Sequence, residues 1–199
     1  MNTAIVILAA GNSSRMGKPK QLLKFNGQTL LDLVINETLK TNFRPVIVVL
    51  GAYEEEIKKT QSHAGAIYVV NKDWEDGMSS SISSGLNSAL KIDSEIENVI
   101  ITVADQAYIS SQIFEDLVRK HHQVNKNIIA SAYLDTAGTP ALFNKKYFKE
   151  LMTLKGTDGA KKIIKRNIDD ATTIPFELGR VDIDTQQDYK DLINNINKQ

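Results

Sequence analysis

Ala4-Ile5-Val6-Ile7-Leu8 runs straight into Ala9-Ala10-Gly11-Asn12-Ser13-Ser14-Arg15-Met16-Gly17-Lys18-Pro19-Lys20. A short, unbroken apolar run is the pattern of a strand covered on both faces, where a polar side chain on either side would be buried without a partner. No basic residue precedes the run and a polar glycine loop ends it, so it reads as a buried first strand rather than a signal peptide. A buried strand that delivers a glycine-containing loop is the opening unit of an open α/β sheet. In such sheets ligands sit outside the carboxyl ends of the strands.

The same pattern recurs along the chain. Val46–Leu50, Ala66–Val70, Val99–Val103 and Ile128–Ala132 are β-branched runs, and between them Leu30–Leu39, Glu54–Gln61, Ser80–Leu90 and Gln112–Val124 carry helical spacing. Leu30, Leu33, Val34 and Leu39 share one side of the first helical segment, with Asp32, Asn36 and Lys40 on the other. This βαβα alternation predicts a three-layer αβα sandwich around a mostly parallel sheet. The last third is less regular. Thr139–Phe143, Ala171–Pro175 and Arg180–Ile183 read as short strands, and Lys145–Leu154, Ala160–Asn167 and Gln186–Asn195 as helices. Thr185 and Asp188 have capping-box spacing at the start of the final helix. The chain has 199 residues, without repeats or a dividing linker, which predicts one domain over 1–199.

Composition narrows the chemistry. Lys plus Arg and Asp plus Glu both number 24, so there is no basic excess with which to grip a nucleic-acid backbone. There is no cysteine, which removes disulfides, thiolate zinc sites and Fe–S clusters and agrees with a cytoplasmic enzyme. No apolar stretch reaches the roughly 18 residues of a membrane helix, so no membrane partner is expected. Of the three histidines, His63 stands alone and His121 and His122 fall in a surface helix; none is expected to be catalytic.

The first loop has the composition of a polyphosphate cradle. Gly11 and Gly17 permit tight turns that expose N–H groups, Ser13 and Ser14 add hydroxyls, Arg15 can fork onto phosphate oxygens, and Lys20 supplies a point charge. Two commoner phosphate motifs are excluded by spacing. Five residues separate Gly11 from Gly17 and Pro19 follows Lys18, which breaks a P-loop. Gly11 is followed by Asn12 and Ser13, which breaks a dinucleotide fingerprint. A solvated basic turn has the same composition; placement after a buried first strand favours the cradle.

Two carboxylate sites stand out. Asp105 follows the strand Val99–Val103, where it can hold Mg²⁺, a hard cation that keeps several waters, or serve as a helix cap or loop acid. In Val181-Asp182-Ile183-Asp184-Thr185 the alternation places Asp182 and Asp184 on one face. Asp182 is the preferred second metal ligand, because Asp184 can instead cap the last helix. In Trp74-Glu75-Asp76-Gly77-Met78-Ser79-Ser80-Ser81-Ile82, Ser79 or Ser80 has the position of an N-cap, and Trp74 reads as a packing residue.

The string LAAGNSSRMGKPKQLL resembles the signature of the molybdenum-cofactor nucleotidyltransferase family, within the larger group that activates sugars and isoprenoid precursors. The resemblance implies the Rossmann-like fold of the nucleotide-diphospho-sugar transferase type. It also implies that Leu8, Ala9, Ala10, Gly11, Ser13, Ser14, Arg15 and Lys20 bind the nucleotide, with Arg15, Lys20 and Asp105 catalytic. Leu8-Ala9-Ala10-Gly11 matches the branch reading LAAG, which implies CTP rather than GTP. Ala104-Asp105-Gln106-Ala107 is similar to the family's ADQP, whose aspartate holds the metal, and Asp182-Ile183-Asp184-Thr185-Gln186-Gln187-Asp188 to its DIDTPED. The stretch from Trp74 to Leu86 resembles W-x-x-G-M-x-x-S-I-x-x-G-L of the cytidylyltransferase branch, implying that Gly77 and Ser81 reach the base. Gly138-Thr139-Pro140 matches a G-x-P segment. Leu154 to Lys161 is similar to L-x-G-D-x-G-A-R, with Thr157 in place of the aspartate and Lys161 in place of the arginine. The resemblance implies that this side of the site receives the acceptor, so the departures bear on the acceptor's identity more than on the nucleotide's. The implied reaction is CMP transfer from CTP to molybdopterin with Mg²⁺, for delivery to a molybdoenzyme. A sugar-phosphate or methylerythritol-phosphate acceptor, or a non-catalytic cofactor carrier, are the alternatives.

Overall fold

The computed structural model describes residues 2–14, 16–60, 63–134, 136–181, 183 and 185–196. Its elements in chain order are β1 (Thr3–Ala9), β2 (Lys24–Phe25), β3 (Gln28–Thr29), α1 (Leu30–Leu39), β4 (Val46–Leu50), α2 (Glu54–Thr60), β5 (Ala66–Val70), α3 (Met78–Ile92), β6 (Asn98–Val103), α4 (Ser111–Gln123), β7 (Ile128–Tyr133), β8 (Thr136–Asn144), α5 (Phe148–Met152), α6 (Ala160–Arg166), β9 (Ala171–Pro175) and α7 (Gln186–Ile196). Seven strands form one sheet in the order β5-β4-β1-β6-β8-β7-β9, and β2 pairs with β3 as a separate hairpin. Only β8 runs against its neighbours β6 and β7; the other pairings in this sheet are parallel.

Alternation along β1 divides the core. Ile5, Ile7 and Ala9 join Leu30, Val34, Ile57, Phe114 and Leu192 on the face covered by α1, α2, α4 and α7. Ala4, Val6 and Leu8 join Ile82, Leu86, Phe148, Leu151 and Ile163 on the face covered by α3, α5 and α6. Both faces of β1, β4 and β6 are buried, which is why these strands read as continuous apolar runs. The helix α3 lies close on the sheet at Gly85, where a Cβ would come within 2.4 Å of a Val6 methyl carbon.

Helix starts follow local chemistry. Thr29 and Asp32 form a reciprocal capping box at α1, and Thr185 and Asp188 do the same at α7, with Thr185 N–H donating to Asp188 Oδ2 at 2.7 Å. The cap expected from Ser79 or Ser80 is absent: α3 begins at Met78 with Gly77 at its N-cap position and no side-chain cap. Two other expectations need correction. Arg180 closes a 3-10 turn, Glu177–Arg180, instead of opening a strand; Asp182 lies outside the described residues. His63 is not isolated, since its ring contacts Tyr68 Oη at 2.9 Å and Asp32 at 3.1 Å.

At the opposite end of the sheet from the first loop, Asp170 fastens three strands. It accepts hydrogen bonds from Asn127 N–H and Nδ2, Lys146 Nζ at 2.6 Å and Tyr147 Oη at 2.7 Å. Burial opposes ionisation of this carboxyl, but the donors from Lys146, Tyr147 and Asn127 together outweigh it and hold Asp170 far below the usual carboxylate range. Burial, and then the bond to Asp170, push the Tyr147 phenol up to about 12. Among the described residues no helix is long and apolar enough to cross a membrane.

Candidate active site

A cleft of about 430 Å³ opens over the carboxyl ends of β1 and β6, where β1 passes into the first loop and β6 into Ala104-Asp105. Leu8, Ala10, Gly11, Ser13, Ser14, Lys20, Gly77, Ser81 and Asp105 all line it, so residues spread over nearly a hundred positions converge on one cleft. Ala9 departs from expectation. Strand alternation turns its side chain into the opposite core, and only its carbonyl serves the loop. Arg15 and Asp182 lie outside the described residues.

The loop is held by its own polar groups. Ser13 adopts a left-handed φ of 48°, its carbonyl accepts from Met16 N–H at 2.8 Å, and its Oγ accepts from Lys20 N–H at 3.0 Å. Met16 is buried beneath this turn, anchoring it to the core. Gln21 provides the main brace, since its Nε2 donates to the carbonyls of Ala9 at 2.9 Å and Gly11 at 3.0 Å. On the outer side Tyr53 Oη donates to Asn12 O at 2.7 Å. These bonds fix the turn between strand and Lys20, and a preformed loop is what a polyphosphate site needs if ordering is not to consume binding energy.

At the cleft floor Lys20 Nζ stands 3.6 Å from Asp105 Oδ2, with the lysine 15% and the aspartate 35% exposed. The opposing charges draw the two side chains together in the cleft. Asp105 and Glu75 are carboxylates on the wall. Among the described residues no cluster of three or more His, Cys, Asp or Glu side chains forms a self-contained metal cage. Mg²⁺ commonly takes one or two carboxylates and completes its shell with water and substrate phosphates, and a hard oxygen donor beside a phosphate loop fits that habit.

The other wall comes from the start of α3. Gly77 has φ 100°, and a Cβ there would lie 2.4 Å from Gly156 O. Ser79 reinforces this contact, donating to the same carbonyl from N–H at 3.2 Å and from Oγ at 2.8 Å. The segment Gly156–Gly159 is therefore pinned against the cleft rim, while Thr157 and Lys161 are exposed. Trp74 is more than packing: it lines the cleft with Met78, and its Cβ sits where Gly51 and Ala10 approach.

Residues 5–171 match the profile of the MobA-like NTP transferase domain. The chain belongs to this nucleotidyltransferase family. Purine catabolism protein PucB of Bacillus subtilis (strain 168) is 28% identical over 198 residues, covering 92% of each chain. Nicotine blue oxidoreductase of Paenarthrobacter nicotinovorans is 30% identical over 66% of this chain and 63% of its own. Among solved structures, Rv0371c of Mycobacterium tuberculosis H37Rv superposes with a TM-score of 0.85 at 25% identity, covering 97% of both chains. Molybdopterin-guanine dinucleotide biosynthesis protein A of Archaeoglobus fulgidus superposes with a TM-score of 0.71 at 16% identity, covering 98% of this chain and 100% of that one, a likeness of fold.

Sequence reading overlooked Asn12, Gln21, Glu75, Val103 and Ala104 on the cleft wall. Asn12 and Gln21 lie inside the quoted signature, but neither carries a charge. Gln21 acts through backbone carbonyls, and that role leaves no mark in residue-type spacing.

Proposed function

We propose that the protein transfers CMP from CTP to the phosphate of molybdopterin and releases pyrophosphate, using Mg²⁺. The observation that carries this reading is the meeting of Lys20 and Asp105 at 3.6 Å on the floor of a cleft lined by Leu8, Ala10 and Gly11 of the LAAG stretch. An acceptor phosphate oxygen attacks the α-phosphorus of CTP, a P–O bond forms to it, and the bond to the bridging oxygen breaks, with pyrophosphate leaving in line. An ionised phosphate needs no general base, in keeping with a cleft wall that carries no histidine among the described residues. Lys20 neutralises the leaving pyrophosphate, with Arg15 as its partner in that role. The first-loop amides and the Ser13 and Ser14 hydroxyls position the triphosphate. Bound at Asp105, with Asp182 as second ligand, Mg²⁺ would offset the negative charge that accumulates on the reacting phosphates. Rv0371c is known in complex with manganese, in support of a divalent ion. The product dinucleotide would pass to a molybdoenzyme, and the reaction belongs in the cytoplasm, where CTP is available.

A second reading keeps the chemistry and changes the acceptor to a sugar phosphate or methylerythritol phosphate. One observation favours it. At the rim, Thr157 stands where the family has aspartate, and Asp158 is engaged by Lys162 at 2.5 Å. The test is pyrophosphate release from CTP and from GTP with Mg²⁺, with and without molybdopterin. Release from CTP that depends on the pterin supports the first reading, and release that requires a sugar phosphate supports the second. Binding of CTP with no release under any acceptor makes the chain a carrier and overturns both.

A further inference from the structure

The three consecutive serines that open α3 are not equivalent, and hydrogen-bond accounting separates them. Ser79 Oγ donates to Gly156 O at 2.8 Å. Ser80 Oγ has acceptors at Asp73 O, 2.7 Å, and Gly77 O, 2.8 Å. Ser81, buried at the back of the cleft, lines it; its hydroxyl proton has no acceptor among the described residues, while its oxygen accepts from Asn71 Nδ2 at 3.1 Å. Asn71 is itself locked. It is 5% exposed, its Oδ1 accepts from Asp73 N–H at 3.1 Å, and its Nδ2 donates to both Ser80 Oγ, 2.8 Å, and Ser81 Oγ. Flipping the amide would set an NH₂ against a backbone N–H, so the orientation shown is the one the network permits.

We infer that Asn71 is a positioning residue that fixes Ser81 as a hydrogen-bond donor toward the nucleobase, so that Ser81 reads an acceptor atom on a pyrimidine ring, O2 or N3 of cytosine. A serine hydroxyl has one proton and can serve either polarity. With a lone pair held by Asn71, the proton is left for a ligand. The ligand at this end of the cleft is a ring rather than a phosphate. Met78, three residues before Ser81 on the same helix face, and Trp74 and Leu8 give that wall apolar surface. The cation, Lys20, lies beside Asp105, and the other charge among the described lining residues is the Glu75 carboxylate next to Trp74, which would repel a phosphate. An amide that orders a buried hydroxyl before binding removes a cost that a freely rotating serine would incur on binding.

This inference rests on the reading of the cleft as a CTP site, and the test separates the two. Affinities for CTP and for inorganic tripolyphosphate, each with Mg²⁺, are measured by calorimetry for the wild type, Asn71→Asp, Ser81→Ala and the double variant. Asn71→Asp keeps the acceptor for Asp73 N–H but replaces the donor facing Ser81 with an oxygen that captures its proton. The expected result is a loss of CTP affinity of at least about tenfold in each single variant, no further loss in the double variant, and tripolyphosphate affinity within about twofold of wild type throughout. A structural role alone would lower both affinities or melt the fold, and thermal unfolding of each variant tracks that. Loss in Ser81→Ala with none in Asn71→Asp overturns the positioning role. So does an additive double variant. A wild type that binds CTP no tighter than tripolyphosphate overturns the CTP reading itself, and the inference with it.

Discussion

Lys20 Nζ and Asp105 Oδ2 stand 3.6 Å apart, although the two residues come from loops after different strands. Parallel pairing of β1 with β6 creates this proximity. The register Leu8↔Val103 places the two strand ends side by side, and the Ala104 N–H donates to Leu8 O at 3.1 Å, carrying the pairing one residue past the strand. A cation and an anion thus face one cleft, each within reach of what the other would bind.

Lys20 is predicted to act on the leaving group. Replacing it in Lys20→Ala removes a preorganised charge, and turnover should fall at least about 100-fold, the scale seen for loss of one charge-stabilising donor. Steady-state pyrophosphate release with CTP checks this. Near-normal turnover would sink its role, while unchanged thermal unfolding would show that the fold survives.

Asp105 is predicted to hold the divalent ion. Chelation with EDTA should abolish pyrophosphate release, and added Mg²⁺ should restore it. In Asp105→Asn the shape is retained but the charge is lost, so the metal concentration for half-maximal rate should rise by at least about tenfold. A metal titration that is unchanged in the variant would move the ion's ligand elsewhere.

The positions legible in sequence were those where one physical demand dominates. Burial on both faces forces an uninterrupted β-branched run, so β4 emerges with the expected bounds; β5 has the expected bounds too, although it is a half-buried edge strand in which Ile67 is exposed. A reciprocal cap needs two residues at fixed spacing, so the α7 start was readable. Lys20 and Asp105 carry charges after strands, where the topology collects ligands. The α3 start was misread because its serines look like caps. Gly77, with φ 100° and Gly156 pressed against it, occupies that position, and the contact spans 79 residues of chain. The single expected helix over 145–154 is a 3-10 turn followed by the short α5. Gln21 stayed hidden because its partners are main-chain carbonyls, which every sequence possesses.

Gln21 is predicted to rigidify the first loop. Gln21→Leu fills a similar volume but leaves the Ala9 and Gly11 carbonyls without their donor, at a cost of about 1–3 kcal/mol for the buried acceptor. A loosened loop must order on binding, so CTP affinity should weaken by about tenfold. Urea unfolding and calorimetry check the two effects. If stability falls and affinity does not, the brace serves the fold alone.

The Asp170 cluster predicts opposite pH behaviour from its two ends. Asp170 titrates far below its ordinary range in the folded chain, so its stabilisation is present above the unfolded carboxylate pKa of about 3.9 and is lost as pH falls below it. Tyr147 is raised to about 12. Its stabilisation is therefore present below the unfolded value of about 10 and is lost as pH climbs from there to about 12. Asp170→Asn should cost about 1.5–3 kcal/mol at pH 7, the scale of hydrogen bonds to a charged group, and the gap to wild type should close in acid. Tyr147→Phe should cost about 1 kcal/mol at pH 7 and flatten the alkaline decline between pH 10 and 12. Urea unfolding across the pH range reads both slopes. A Tyr147→Phe variant that loses stability in alkali as steeply as wild type would show that another group carries the alkaline transition.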